Sequence, residues 1–369
     1  MLKNDRFLQA CMRQEVDYTP IWLMRQAGRF LRSYQDLWEK YDFMTLCKTP
    51  ELAAQVTTFP VKFLGVDAAI LFSDLLVPCE AMGLKPVFLK NKSPRFPHPI
   101  QDEAQIEKLT IPDPNATMNF VMESIRLSKK MLDGDAPVIG FTGGPFTLAA
   151  YMVEGSYPFV LHSTKKMLFQ YPNILHALLA KAAKTITLFL NAQIEAGADA
   201  VMIFDNFSGL LSPDLYQAFA LPYTTDIIEN LHRENCPVIL YVYGCSALLE
   251  LMAASGPDVL SIDDRTDLSL ARQKVGGKTA LQGNIDALSL YADPAIIQRE
   301  ARRVLDKFGN GSGHIFNVGN ALQPDLPVEN VRILIETVHK ESRLYHPVID
   351  KVVSPQAGQK HPDARRAKS

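Results

Sequence analysis

Short β-rich runs that alternate with longer helical patterns predict an α/β fold, a single (β/α)8 TIM barrel, for this chain of 369 residues. Two further observations agree. The length suits one such barrel carrying insertions, and polar and glycine-rich residues collect just after the carboxyl ends of the runs, where that fold builds its sites. The expected domain is residues 1–348, and the polar stretch 349–369 reads as a disordered, solvated tail.

Eight runs lie at residues 21–24, 68–72, 138–141, 200–204, 238–241, 259–262, 280–283 and 314–318. The first, Ile21-Trp22-Leu23-Met24, is apolar and ends abruptly at Arg25. Before the second comes a helix that Thr49-Pro50-Glu51 opens and Gly65 closes. After it, residues 85–100 place Lys85, Lys90, Lys92 and Arg95 among prolines, an insertion or hairpin of no evident role. Pro145 opens a helix behind the third run. Between the third and fourth runs, Pro172-Asn173 opens a long helix that Gly197 closes, with Leu175, Leu178, Leu179, Ala182 and Ile186 along one apolar face. The strand ends then carry Arg25 and Arg29, Ser73-Asp74, Thr142-Gly143-Gly144-Pro145, Asp205-Asn206 and Gly319-Asn320.

Composition narrows the function. A net charge of -2 argues against a nucleic-acid or membrane-surface binder, so an anionic ligand needs a local basic site. Five cysteines, with no C-x-x-C spacing, indicate neither a disulfide framework nor a zinc knuckle. The amino terminus lacks an apolar leader and no run approaches bilayer length, which together suggest a cytoplasmic protein. Arg25 and Arg29 flank Gly28, which permits a tight turn between them. Two guanidinium forks on one loop suit a substrate with several carboxylates. The alternative is a surface pair matched to nearby acids. Asp74 likewise has two readings, a strand-end carboxylate in a site or a helix N-cap before Leu75-Leu76.

The stretch Trp22-Leu23-Met24-Arg25-Gln26-Ala27-Gly28-Arg29 resembles the amino-terminal signature of the uroporphyrinogen decarboxylase family. Residues 140–155, reading Gly-Phe-Thr-Gly-Gly-Pro-Phe-Thr-Leu-Ala-Ala-Tyr-Met-Val-Glu-Gly, are similar to its second signature. Ala68-Ala69-Ile70-Leu71-Phe72-Ser73-Asp74 and Leu281-Gln282-Gly283-Asn284 match as well. The resemblance implies a homodimer of single-domain barrels that removes carbon dioxide from the four acetate side chains of uroporphyrinogen, leaving coproporphyrinogen, without cofactor or metal. It implies that Arg25 and Arg29 anchor carboxylates, that Asp74 faces the pyrroles, and that Tyr151 belongs to the active site. Gln26, Ala27, Gly28, Asn206 and Asn320 fall at substrate-binding positions of the same pattern.

Departures cluster at the rim. Asn320 stands where the family usually has a histidine, Asn206 replaces a hydroxyl residue, and Phe207 replaces a histidine or tryptophan. Trp38 replaces a loop arginine, which Arg32 is expected to offset in part, and Tyr243-Gly244-Cys245-Ser246 replaces a glycine-rich step. Asparagine donates to a carboxylate but cannot move a proton near neutral pH. Two functions therefore stand: a working decarboxylase with a reshaped pocket, or a relative that binds a tetrapyrrole or other polycarboxylate with lost or altered turnover. Zinc-dependent methyl transfer on a related barrel is disfavoured, because Leu240-Tyr241-Val242-Tyr243-Gly244 offers no metal ligands, and His232 and Cys236 are expected at a helix end.

Overall fold

The computed structural model describes residues 2–28, 30–88 and 93–346. Among them, seven parallel strands follow one another in sequence order: β1 Ala69–Ile70, β2 Val138–Gly143, β3 Ala200–Phe204, β4 Val238–Tyr241, β5 Val259–Ser261, β6 Ala280–Gln282 and β7 His314–Ile315. Ile70, Ile139, Met202, Ile239, Val259, Ala280 and Ile315 meet inside the curled sheet with Trp22. Val138, Val201, Ile203, Leu240, Leu260 and Leu281 face the surrounding helices. With both faces buried, each strand is apolar throughout, which is why the runs stand out in the sequence.

The first predicted run is not a strand. Residues 20–24 fill the gap between β7 and β1, but only Ile21 makes a bridge, to Phe316. The Phe316 N–H reaches Pro20 O at 2.8 Å and the Asp67 N–H reaches Ile21 O at 2.8 Å, so this stave closes the barrel. Trp22 N–H returns a long bond to Phe316 O at 3.3 Å, but the other donors go to side chains: Ile21 N–H to Asp67 Oδ2 at 2.9 Å, Leu23 N–H to Gln26 Oε1 at 3.0 Å and Met24 N–H to Asn317 Oδ1 at 3.0 Å. Pro20 has no N–H to give. A stave held largely by side chains lacks the ladder that defines a strand.

The helix Pro50–Leu64 ends at Gly65 in the left-handed region, φ 78°, as its start and stop residues predict. The helix Pro172–Glu195 passes tests of length and apolar composition for a membrane span, contrary to the sequence expectation. Leu175, Leu178, Leu179, Ala182 and Ile186 are fully buried, and the helix packs on β2 and on the helix Pro145–Glu154. Its apolar side therefore belongs to the barrel shell. Helices also exceed one per stave among the described residues, with short ones such as Phe43–Lys48 and Pro213–Phe219 between strands. Within residues 85–100, Val87 and Arg95 are bridged antiparallel. Lys90 and Lys92 lie outside the described residues, as does the predicted tail from 349.

Candidate active site

The carboxyl ends of the strands open into a cleft of about 1530 Å³. Its floor is aromatic, because the uppermost inward residues are Phe141, Phe204 and Tyr241, with Phe204 centred 5.6 Å from Phe141 and 5.8 Å from Tyr241. One wall carries Tyr34, Trp38, Phe43, Phe72 and Phe88, with Tyr34 stacked on Trp38 at 5.9 Å and Phe43 on edge to Phe72 at 5.8 Å. The opposite wall carries Tyr151, Tyr157, Phe159 and Phe207, with Tyr157 5.2 Å from Phe207. A large, mostly hydrocarbon ligand fits between such walls.

Arg25, Ala27 and Gly28 line the cleft on the loop after the closing stave. The Gln26 N–H bonds Leu23 O at 2.8 Å, a β-turn whose third residue, Arg25, has φ 66°. That position normally takes glycine, and a side chain there costs about 1–2 kcal/mol. Gln26 holds the turn shut. Fully buried, it accepts from Leu23 N–H at 3.0 Å and donates to Ala68 O at 2.9 Å, which ties the turn to the start of β1. Its side chain is thus committed to the backbone and does not line the cleft. Gly28 is required by close approach, since a Cβ there would lie 2.8 Å from Arg25 O. Arg29 lies outside the described residues.

Asp74 sits at the end of β1 and lines the cleft. Its Oδ1 accepts from Leu76 N–H at 2.8 Å, while Oδ2 has no hydrogen-bond partner among the described residues. Asp74 is not the N-cap of the helix that follows, Val77–Ala81, whose cap position is Leu76; its Oδ1 instead braces the turn that leads into that helix. Burial pushes the carboxyl up to about 6, against the Leu76 hydrogen bond; Glu80 adds to the rise and Arg25 opposes it. Tyr151 projects from the helix Pro145–Glu154, nearly buried, its ring 5.5 Å from Phe207. Burial, with Tyr157 and Asp74, raises its phenol pKa, so the hydroxyl is a donor at working pH.

Asp205, beside Asn206, is behind the wall. Its Oδ1 accepts from Thr147 N–H at 2.7 Å in the first turn of the Tyr151 helix. Burial pushes this carboxyl also to about 6, opposed by Thr147. A Cβ on Gly144 would meet Asp205 at 2.4 Å, so the Gly143-Gly144 step serves strand-to-helix packing. Asn206 lines the cleft, and its buried Oδ1 has no partner. Asn320 differs. Its Oδ1 accepts from Ala287 N–H at 3.1 Å and its Nδ2 donates to Asp286 Oδ1 at 3.3 Å, so it braces the loop after β6 while lining the cleft.

Arg32, whose side chain is 84% exposed, pairs with Asp36 at 3.1 Å and lies outside the lining. His232 and Cys236 follow the helix Leu221–Glu229 and line a separate depression with Leu8 and Asp199, next to the starts of β3 and β4. Among the described residues, no three His, Cys, Asp or Glu side chains are grouped to hold a metal ion. Sequence reasoning missed Lys40, Phe43, Phe88, Tyr157 and Phe159, all on the lining, where Tyr243, which it placed at the rim, also lies. Most lie in loops, where no periodicity marks a direction.

A family model described as uroporphyrinogen decarboxylase matches residues 2–341. A protein of that name from Tolumonas auensis is 47% identical over 350 residues, covering 94% of this chain and 99% of that protein. Another, from Escherichia fergusonii, is 48% identical over the same shares. Among solved structures, a methyltransferase from Methanosarcina mazei has a TM-score of 0.77 at 22% identity, covering 91% of this chain and 97% of its own, a likeness of fold.

Proposed function

The chain belongs to the uroporphyrinogen decarboxylase family, and we propose that its cleft seats uroporphyrinogen over Asp74 and converts the four acetate side chains to methyl groups, leaving coproporphyrinogen. It is a carboxy-lyase of haem biosynthesis. The observation that carries the site assignment is Asp74: a single carboxylate with one unengaged oxygen at the base of an aromatic cleft. A pyrrole protonated on a ring carbon is a cation. The bond from methylene to carboxylate then breaks, its electron pair enters the ring, carbon dioxide leaves, the methylene takes a proton to become methyl, and the ring carbon gives back the proton it had taken, which restores the neutral pyrrole. The substrate is its own electron sink, so the step calls for no cofactor. Asp74 accepts pyrrole N–H bonds and stabilises the cation. Arg25, and Arg29 with it, hold substrate carboxylates, and the Tyr151 hydroxyl donates to one. Asn206, on the lining, contacts the substrate. Gln26 acts through the Arg25 turn.

The engagement of Asn320 with Asp286 and Ala287 supports a positioning role, so that the proton reaches the ring from elsewhere. The test is anaerobic incubation with uroporphyrinogen, oxidation, and chromatographic counting of carboxyl groups. Coproporphyrin supports a working enzyme. Recovery of the eight-carboxyl compound from folded protein that still binds it would establish the alternative, a tetrapyrrole-binding relative without turnover.

A homodimer is supported by exposed apolar side chains beside the cleft and the adjoining helix His162–Gln170: Phe159 at 81%, Val160 at 75% and Phe169 at 69% exposure. Such a patch is larger than isolated surface residues require. Sedimentation at micromolar concentration as a monomer would remove this inference. The near-neutral charge and five free, buried cysteines support a cytoplasmic setting, which cell fractionation checks.

A further inference from the structure

Uroporphyrinogen carries eight carboxylates, yet the cations among the described lining residues are Arg25 and Lys40, set against Glu39, Asp42 and Asp74. Arg25 is close enough to Asp74 to oppose the rise in its pKa, so it belongs to the reacting end. Lys40 is exposed, in the turn that follows the helix Arg32–Trp38. Backbone bonds hold that turn: Glu39 N–H to Gln35 O at 3.0 Å, Lys40 N–H to Leu37 O at 3.1 Å and Tyr41 N–H to Leu37 O at 2.9 Å. Neither Glu39 nor Asp42 forms an ion pair with Lys40 among the described residues. Asp42 is occupied as an N-cap, accepting from Thr45 N–H and Thr45 Oγ1, both at 2.9 Å. The ion pairs found among the described residues on this side of the cleft are Arg32 with Asp36 and Lys48 with Glu80, and neither includes Lys40.

We propose that Lys40 is a further carboxylate anchor, which takes a propionate of the tetrapyrrole while Arg25 and Asp74 engage the reacting pyrrole. This rests on uroporphyrinogen being the substrate. Propionate is the fitting group, because four propionates persist through all four decarboxylations whereas the acetates disappear one by one. The macrocycle must present a different pyrrole to Asp74 in each round. An ammonium on a flexible four-carbon stem can follow whichever propionate comes within reach, which a fixed guanidinium fork does less readily. The competing explanation is a cation near the carboxyl end of a helix, favourable to the fold alone. That role would appear in thermal stability and not in substrate affinity.

The experiment compares the full chain with Lys40→Ala, Lys40→Arg and Lys40→Glu. Anaerobic kinetics are measured with the eight-carboxyl and five-carboxyl porphyrinogens. Binding of uroporphyrin, which does not react, is followed by quenching of tryptophan fluorescence at several NaCl concentrations. Lys40→Ala is expected to raise KM and the uroporphyrin Kd about three- to fivefold at low salt. The increase should be equal for both porphyrinogens, with kcat and Tm kept. Lys40→Arg should return to within about twofold, Lys40→Glu should exceed Lys40→Ala, and the differences should fade near 0.5 M NaCl, where screening acts within ~4 Å. Unchanged KM and Kd in Lys40→Ala, beside an active parent chain, would overturn the Lys40 assignment alone. An effect confined to the eight-carboxyl substrate, or one insensitive to salt, would overturn it too. A parent chain that neither binds uroporphyrin nor turns over uroporphyrinogen would refute the substrate, and the anchor with it.

Discussion

Replacing Asp74 by asparagine separates its charge from its structural bond. The amide keeps an oxygen for the Leu76 N–H, 2.8 Å from Oδ1 in the native protein, so the turn after β1 is retained. What is lost is a negative charge facing a cationic pyrrole. At about 4 Å and an effective dielectric of about 20 that attraction is ~4 kcal/mol, so kcat should fall roughly a thousandfold. The same change should stabilise the fold. Burial holds this carboxyl at about 6, above its ordinary 3.8, so the folded chain binds the proton more tightly than the unfolded one. Native stability therefore declines as pH rises from about 4 to about 6, and the deficit is complete above that window. Asp74→Asn should raise Tm by about 1–3 °C at pH 8 and leave it unchanged near pH 3. Steady-state decarboxylation and thermal unfolding at the two pH values measure both effects. A variant that keeps more than about a tenth of the native kcat would refute the electrostatic role.

Three further outcomes follow from the same geometry. Below about pH 6, kcat/KM should fall about tenfold per pH unit as Asp74 takes up its proton; Asp205 titrates nearby but does not line the cleft, so a slope near one is expected, and a flat profile to pH 5 would contradict the assignment. Asn320→His should change kcat by less than about threefold, since the asparagine already braces Asp286 and Ala287; a gain of about a hundredfold would reveal a missing general acid. Gln26→Met removes two buried hydrogen bonds and should destabilise the fold by about 1–3 kcal/mol. With the Arg25 turn loosened, KM should rise severalfold while kcat is largely kept, and an unchanged KM would remove its positioning role.

The barrel is legible in the sequence where both strand faces are buried. Ala200-Val201-Met202-Ile203-Phe204 can pack inward with Met202 and outward with Val201 and Ile203, so a continuous apolar run is unavoidable. The closing stave has the same composition but different bonding. Three of its donors go to the side chains of Asp67, Gln26 and Asn317, partners 46, 3 and 293 positions away, and local pattern carries no sign of them. The strand-end rule placed Arg25, Asp74, Asn206 and Asn320 on one cleft. It could not separate Gln26, whose neighbours point into that cleft while its own side chain turns into the barrel wall. Nor could it find Lys40 or Phe88, which reach the lining from loops. Gly144 shows the converse limit: a glycine-rich step suggestive of a ligand cradle exists because Asp205 approaches the backbone.

The most direct measurement is an anaerobic crystal structure of the protein with coproporphyrinogen bound. Pyrrole nitrogens within hydrogen-bond distance of Asp74 Oδ2, with propionates directed to Arg25 and Lys40, are the expected arrangement. A tetrapyrrole seated with its nitrogens away from Asp74, or outside the aromatic walls, would contradict the assignment of this cleft and of its central carboxylate.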